Sequence, residues 1–290
     1  MHPTTLARWQ IHFCVVLWGF TPILGKLISL STASLVWWRM VIVAGVLTAV
    51  PRVWRGLHRM SRRLLAAYAG IGVLVALHWL TFYGAIRLAN ASVAASCLAL
   101  CPVFLAIIEP WITRKPHVPS ELWLGLAVVP GVALIVGGTP DEMNLGIAVG
   151  VLSAFIVAIF GACNKRLVER GDPLTVTWLE MAAGTVFLTL TAPLAASAPV
   201  FVLPDMQDTL FLLALSLVCT LLPFALALVA LKHISAFGAQ LAVNLEPIYA
   251  ILLAMLLFGE QHELDAGFYI GVAIVLGAVF VHPLLRRLKM

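Results

Sequence analysis

Residues 241–253 read LAVNLEPIYAILL, and the reading of this stretch decides the fold. A carboxylic acid, Glu246, stands directly before a proline in a run that is otherwise oily. Counted along a helix from Ser235, Glu246 falls about 16 Å in at 1.5 Å per residue. That is near the centre of a ~30 Å hydrocarbon layer. A charged acid there costs at least ~2.5 kcal/mol, so it must face a wet cavity, meet a partner or carry a proton. Pro247 cannot donate to the carbonyl of Val243, which leaves a free backbone oxygen and a kink beside the acid. Acid, carbonyl and kink together suit a midplane binding site on a broken helix. The plainer alternative is an acid paired to a neighbouring helix for packing alone.

The surrounding chain supports a lipid setting. Of 290 residues, 62% are hydrophobic and 11% charged, against roughly 45–50% and about 25% in soluble domains. The expected fold is therefore an all-α polytopic membrane protein. Ten segments qualify as spanning helices: 11–30, 33–51, 64–86, 91–111, 120–138, 144–164, 173–193, 209–231, 235–258 and 266–284. The first lacks a convincing cleavage site and is read as a retained helix. Alternation with period two is absent, which argues against a lipid-spanning barrel. With the N-terminus in the cytoplasm, fifteen basic residues fall on the cytoplasmic side and Arg87 alone on the other. This positive-inside bias places both termini in the cytoplasm and accounts for the net charge of +5 without nucleic acid.

The chain also repeats itself. LALCPVFLAII (98–108) aligns with VNLEPIYAILL (243–253), matching Pro102 to Pro247. LVWWRMV (35–41) aligns with VTWLEMA (176–182), pairing Trp37 with Trp178 and setting Arg39 opposite Glu180. The reading is two five-helix repeats, 1–138 and 139–290. Five is odd, so the second copy must cross the membrane inverted relative to the first, a transporter signature.

LWGFTPILGKL (17–27), the arginine of WWRM, SVAASCLALCPVFLA (92–106) and NLEPIYAILL running on through FGE (258–260) resemble the EamA-type members of the drug/metabolite transporter superfamily. The resemblance covers nearly the whole chain and implies a ten-helix carrier, more an exporter than an importer, of small metabolites in a bacterial inner membrane. One departure stands out: ITRKPH (112–117) replaces the leucine-glycine-glutamate expected at the end of helix four, so the first repeat reads as having lost that acid.

Candidate substrate-binding residues follow from chemistry and position. HWLTFYGA (78–85) sets His78 and Phe82 on one helical face and Trp79 and Tyr83 on the next, an aromatic wall suited to stacking and cation–π contact. The plainer reading is helix packing. Trp18–Gly19 and Phe160–Gly161 occupy corresponding repeat positions and border one central site, with Asn164 a turn further on. Gln240 and Asn244 share a face, whereas Glu246 points about 200° from Asn244 on an unbroken helix. Either the kink re-aims them, or Glu246 faces a neighbouring helix while the amides face the pore. Glu246 and His78 are the candidate proton-coupling groups. Pro102, Pro247, Arg39 and Glu180 are read as gating or structural, with Arg39 about 9 Å from the outer face holding the outer loops. Lys26 is read as snorkelling near the outer end.

No metal site or cofactor is expected. The five cysteines lie in oily stretches, and His12, His78, His233, His262 and His282 are scattered. No Walker motif, HExxH or GxSxG is present, so neither ATP hydrolysis nor a familiar hydrolase is indicated. The expected activity is secondary transport of amino acids or related amphipathic compounds by alternating access. A channel or facilitative pore is the alternative, and a membrane-embedded enzyme a more distant one. The expected partners are a small-molecule substrate, the lipid bilayer and protons, with the protein a monomer or homodimer.

Overall fold

A computed structural model describes residues 2–194, 199–262 and 264–287, and every element among them is helical. The chain opens with α1 (Pro3–Gly19) and α2 (Thr21–Leu27), broken where Pro22 enters the first turn of α2. Then follow α3 (Thr32–Thr48), α4 (Pro51–His58) and the long α5 (Arg62–Leu88). Next are α6 (Ala91–Cys97), α7 (Cys101–Thr113) and α8 (Pro119–Gly137). The second half holds α9 (Asn144–Leu167), α10 (Pro173–Thr191), α11 (Met206–Leu213) and α12 (Leu222–Ala230). It closes with α13 (Ala236–Val243), α14 (Glu246–Phe258) and α15 (Ala266–Arg287).

Seven helical units among the described residues are long and apolar enough to cross a membrane, or eight if α3 and α4, bent by 89°, form one span. The ten expected spans are thus met in part. Those expected at 120–138 and 266–284 correspond to shorter apolar stretches, Gly125–Ile135 and Ala266–Val275. The outward apolar side chains, such as Leu190, Leu203 and Leu256, are exposed, as a lipid-facing surface requires.

The repeat seen in the sequence reappears as a matched pair of broken helices. α6, a short 3₁₀ turn at Leu98–Leu100 and α7 form the first; α13, a break at Asn244–Leu245 and α14 form the second. Their boundaries are offset by 145 residues throughout (91 to 236, 101 to 246, 113 to 258). Pro102 and Pro247 sit in the first turn of α7 and α14, where proline's missing N–H has no intrahelical partner to lose. Both second segments end on a residue in the left-handed region, Arg114 (φ 57°) and Gly259 (φ 69°).

These two broken helices run antiparallel. α6 packs against α14 and α7 against α13. At the crossing, Asn244 Nδ2 donates to the Ala99 carbonyl at 3.2 Å, so one break rests on the other. Each helix also caps its partner. Buried Glu260, just past α14, accepts from Ala91 N (3.3 Å), Ser92 N (3.1 Å) and Ser92 Oγ (2.6 Å) at the start of α6. Buried Glu109, in α7, accepts from Ala236 N (3.1 Å) and Phe237 N (2.7 Å) at the start of α13. A carboxylate there satisfies orphan amides and meets the positive end of the helix dipole. The first half has therefore not lost its acid. Glu109 supplies the cap from a position within α7 rather than from beyond the helix end.

Lys26 reinforces the Glu260 end, pairing with Glu260 Oε1 at 2.8 Å and lying 4.6 Å over the Phe258 ring, so it is committed rather than simply snorkelling. Elsewhere glycines bring backbones together. A Cβ at Gly131 would meet the Gly271 carbonyl, fixing α8 against α15. Glu109→Ala and Glu260→Ala should each lower stability by about 2–3 kcal/mol, since each strands buried amides that had a charged acceptor. The check is the melting temperature in detergent: both variants should fall by several degrees, and Glu142→Ala, in an exposed turn, should not.

Candidate functional site

A cavity of about 140 Å³ opens beside the crossing of the two broken helices. Its apolar wall includes Trp18 of α1, Trp79 and Phe82 of α5, and Phe160 of α9. Its polar lining includes His78, Asn164, Gln240, Thr220, Arg39 and Glu246. Gly161 contributes bare backbone, and a Cβ there would meet no atom within 4 Å.

The break in the second helix explains how Gln240 and Glu246 share the cavity. On an unbroken helix Asn244 would share a face with Gln240, and Glu246 would diverge from both. Instead the α-helical ladder tightens to i→i−3 bonds at Asn244–Leu245, where Leu245 N donates to the Ala242 carbonyl, and Glu246 restarts the α-helix as the first residue of α14. Glu246 and Gln240 then face the cavity, while Asn244 turns to the Ala99 carbonyl and lies outside the lining. Glu246 is 6% exposed and makes no hydrogen bond or ion pair among the described residues. Its place in the first turn of α14 sets it at the favourable end of that helix dipole.

Arg39 lies elsewhere than the sequence suggested. It is 1% exposed and reaches the cavity instead of the outer loops. Its Nε donates to Thr220 Oγ1 at 2.6 Å and its Nη1 to the Tyr83 hydroxyl at 2.8 Å. Its guanidinium stacks 3.8 Å over the Trp79 ring. It is Arg87 that holds a loop, its Nη2 donating to the carbonyls of Ile28 and Leu30 at 2.8 and 2.9 Å. A helix-depth count locates a Cα, but a long arginine side chain reaches well away from it. Tyr83 sits behind Arg39 as its hydrogen-bond acceptor rather than on the lining.

Thr220 is a site residue that the sequence analysis missed. Residues Ala214–Leu221 adopt a wider π-type turn, and Thr220 Oγ1 donates to the carbonyl five residues back, Leu215, at 2.6 Å. Pro223, in the first turn of α12, lacks the N–H that would continue a tight ladder to Cys219. The wide turn sets the Thr220 hydroxyl against Arg39, a common use of π-bulges at functional sites. No periodicity in hydrophobic residues announces such a turn; Pro223 was the available signal.

His78 is fixed by its neighbours. Its Nδ1 lies 2.8 Å from Ser153 Oγ, and its ring packs 5.6 Å from Phe160 and 6.0 Å from Phe82. Glu180 forms no ion pair with Arg39 among the described residues and lies beside Asn164. Among the described residues no group of three or more His, Cys, Asp or Glu could hold a metal ion.

An all-helical, multi-pass membrane protein with a largely apolar cavity, carrying a few polar groups at paired helix breaks, is the architecture of a membrane transporter. The chain belongs to the EamA-like transporter family, whose model matches residues 9–137 and 144–282. It is 26% identical over 268 residues to an "Uncharacterized transporter" of Archaeoglobus fulgidus, spanning 92% of each chain. It is 24% identical over 287 residues to the "Uncharacterized transporter PA0485" of Pseudomonas aeruginosa, spanning 94% of this chain and 93% of that one. One solved crystal structure superposes with a TM-score of 0.72 at 17% identity, covering 99% of both chains, a likeness of fold.

Gly161→Leu should fill open space without displacing any packed group, leaving the melting temperature within about 1 °C of wild type. A stability change below ~0.5 kcal/mol is ordinary for a substitution that breaks nothing. Any ligand that raises the melting temperature of the wild type should fail to raise that of the variant.

Proposed function

We propose that this protein is a secondary transporter, exporting amino acids or related amphipathic metabolites by alternating access around the central cavity, with protons as the coupling ion. The observation that carries this reading is the separation of two opposite charges on one cavity wall. Arg39 commits Nε and Nη1 to the protein and leaves Nη2 without a partner among the described residues. Glu246 lines the same cavity and forms no ion pair with it. A guanidinium edge suits a carboxylate, and a carboxylate at the helix break suits an ammonium. Trp18, Phe82 and Phe160 offer the apolar surface that the rest of such a zwitterion needs.

Alternating access is supported by the 145-residue offset and antiparallel packing of the two broken helices, which are the elements expected of two inverted five-helix repeats. On this reading residues 1–138 and 139–290 are the two repeats, and the clustering of basic residues at one set of helix ends supports cytoplasmic termini. Glu246 serves as the proton-coupling acid: with no hydrogen-bond or ion-pair partner among the described residues, it alternates between holding a proton and holding the substrate ammonium. His78, tied to Ser153, positions the aromatic wall and is the second candidate for proton exchange.

Reconstituted protein should show saturable counterflow of a zwitterionic substrate and should accumulate it against an imposed pH step. Glu246→Gln should retain counterflow while losing gradient-driven accumulation by about tenfold or more. Flux through the wild type that ignores the pH step removes the proton-coupled mechanism, and non-saturating flux replaces the carrier with a channel.

A further inference from the structure

A second buried acid sits apart from the substrate-facing groups. Glu180 of α10 is 0% exposed, and neither of its carboxyl oxygens meets a hydrogen-bond donor. Asn164 of α9 faces it, and Asn164 Oδ1 is likewise buried and without a partner. The two carboxyl oxygens and the Asn164 amide oxygen are thus buried together, and the donor beside them is the Asn164 amide N–H, which can serve the carboxyl but leaves Oδ1 unserved. Native interiors rarely leave such groups orphaned, and an uncompensated carboxylate in this setting is costlier still. A single proton on Glu180 resolves the arrangement, because the acid O–H can then donate to Asn164 Oδ1.

The surroundings supply no competing charge. On α5, Tyr68 is near the carboxyl, with its hydroxyl donating to the Leu167 carbonyl at 2.7 Å. Cys163 of α9 is the other titratable neighbour, and Arg170 lies near Tyr68. α3 and α4 also pack on α10, but Arg39 is committed to Tyr83 and Thr220, and Arg52 pairs with Asp172. α12 carries no titratable side chain. The α5 backbone approaches so closely that a Cβ at Gly72 would strike the Glu180 backbone carbonyl.

Position gives the site a use. Asn164 lines the central cavity, while Glu180 lies one helical turn from Val176. Val176 packs with Tyr68, Gly171 and Leu228 around a seam too narrow for water at the basic Lys165–Arg170 end. Glu180 thus stands between the cavity and that end of the molecule.

We propose that Glu180 and Asn164 form a proton-binding site, distinct from Glu246, that passes protons between the cavity and the cytoplasmic side. The proposal rests on the proton-coupled reading above. In each passage the Glu180 O–H bond breaks as its proton leaves toward one side, and a proton arriving from the other side restores it. A sodium ion fits less well, since three oxygens fall short of its usual coordination and no further acid lies close.

The test uses the full chain in liposomes containing a pH-sensitive dye. Glu180→Gln keeps the shape and polarity of the neutral acid but cannot release a proton. It should keep substrate counterflow within about twofold of wild type while proton movement accompanying substrate falls at least tenfold. Infrared spectra should show a protonated-carboxyl band that disappears in Glu180→Gln and shifts in Asn164→Leu, a readout that needs no transport. Proton movement undiminished in Glu180→Gln, or a band unchanged by either substitution, overturns the proposal. Failure of Glu180→Gln to fold overturns it as well, since a neutral acid should tolerate its amide; a requirement for sodium in place of a pH step does the same. Loss of counterflow in the wild type would instead remove the carrier reading on which it rests.

Discussion

The structure depends on the contact where two interrupted helices cross. Each breaks near its middle, and the Asn244 amide bonds the Ala99 carbonyl so that the two interruptions lie together. Interrupting a helix in lipid leaves backbone groups that hydrocarbon cannot satisfy, so such breaks survive only where protein or a wet cavity meets them. Here both occur. Each helix start is capped by a buried carboxylate of the other helix, Glu109 on α13 and Glu260 on α6. The reciprocal caps fix the register of the pair, and the space beside the crossing becomes the cavity.

Cavity chemistry follows from that register. The restart of α14 turns Glu246 inward, while the wide turn before α12 presents Thr220 and steadies Arg39 over Trp79. An arginine and an acid that do not pair with each other are costly to bury. Their retention on one wall is intelligible if a ligand completes them. Beside the cavity, Glu180 is likewise buried and forms no ion pair among the described residues.

Much of this was legible in the chain itself. The acid-proline pair within an oily run marked the break, and the recurrence of Pro102 at Pro247 marked its partner. The aromatic and amide residues of helices three, six and nine pointed to one site, and the structure sets Trp18, His78, Trp79, Phe82, Phe160, Asn164 and Gln240 around one cavity. What escaped was geometry that periodicity does not encode. Arg39 was read from the depth of its Cα, although its side chain extends to the cavity. Thr220 depended on a π turn. Asn244 was paired with Gln240 by unbroken helix geometry, which the break abolishes. Glu109 was overlooked because its cap works from a different helix position than that of Glu260.

The antiparallel crossing is the claim on which all of this stands, and side-specific labelling of single cysteines tests it most directly. In a cysteine-free background within sealed membrane vesicles, Arg114→Cys and Lys232→Cys should react with an impermeant thiol reagent from one face. Ala89→Cys and Gln261→Cys should react only from the opposite face. Labelling of Arg114→Cys and Gln261→Cys from the same face would mean that the two broken helices run parallel, and neither the shared cavity nor the reciprocal caps could then exist as described.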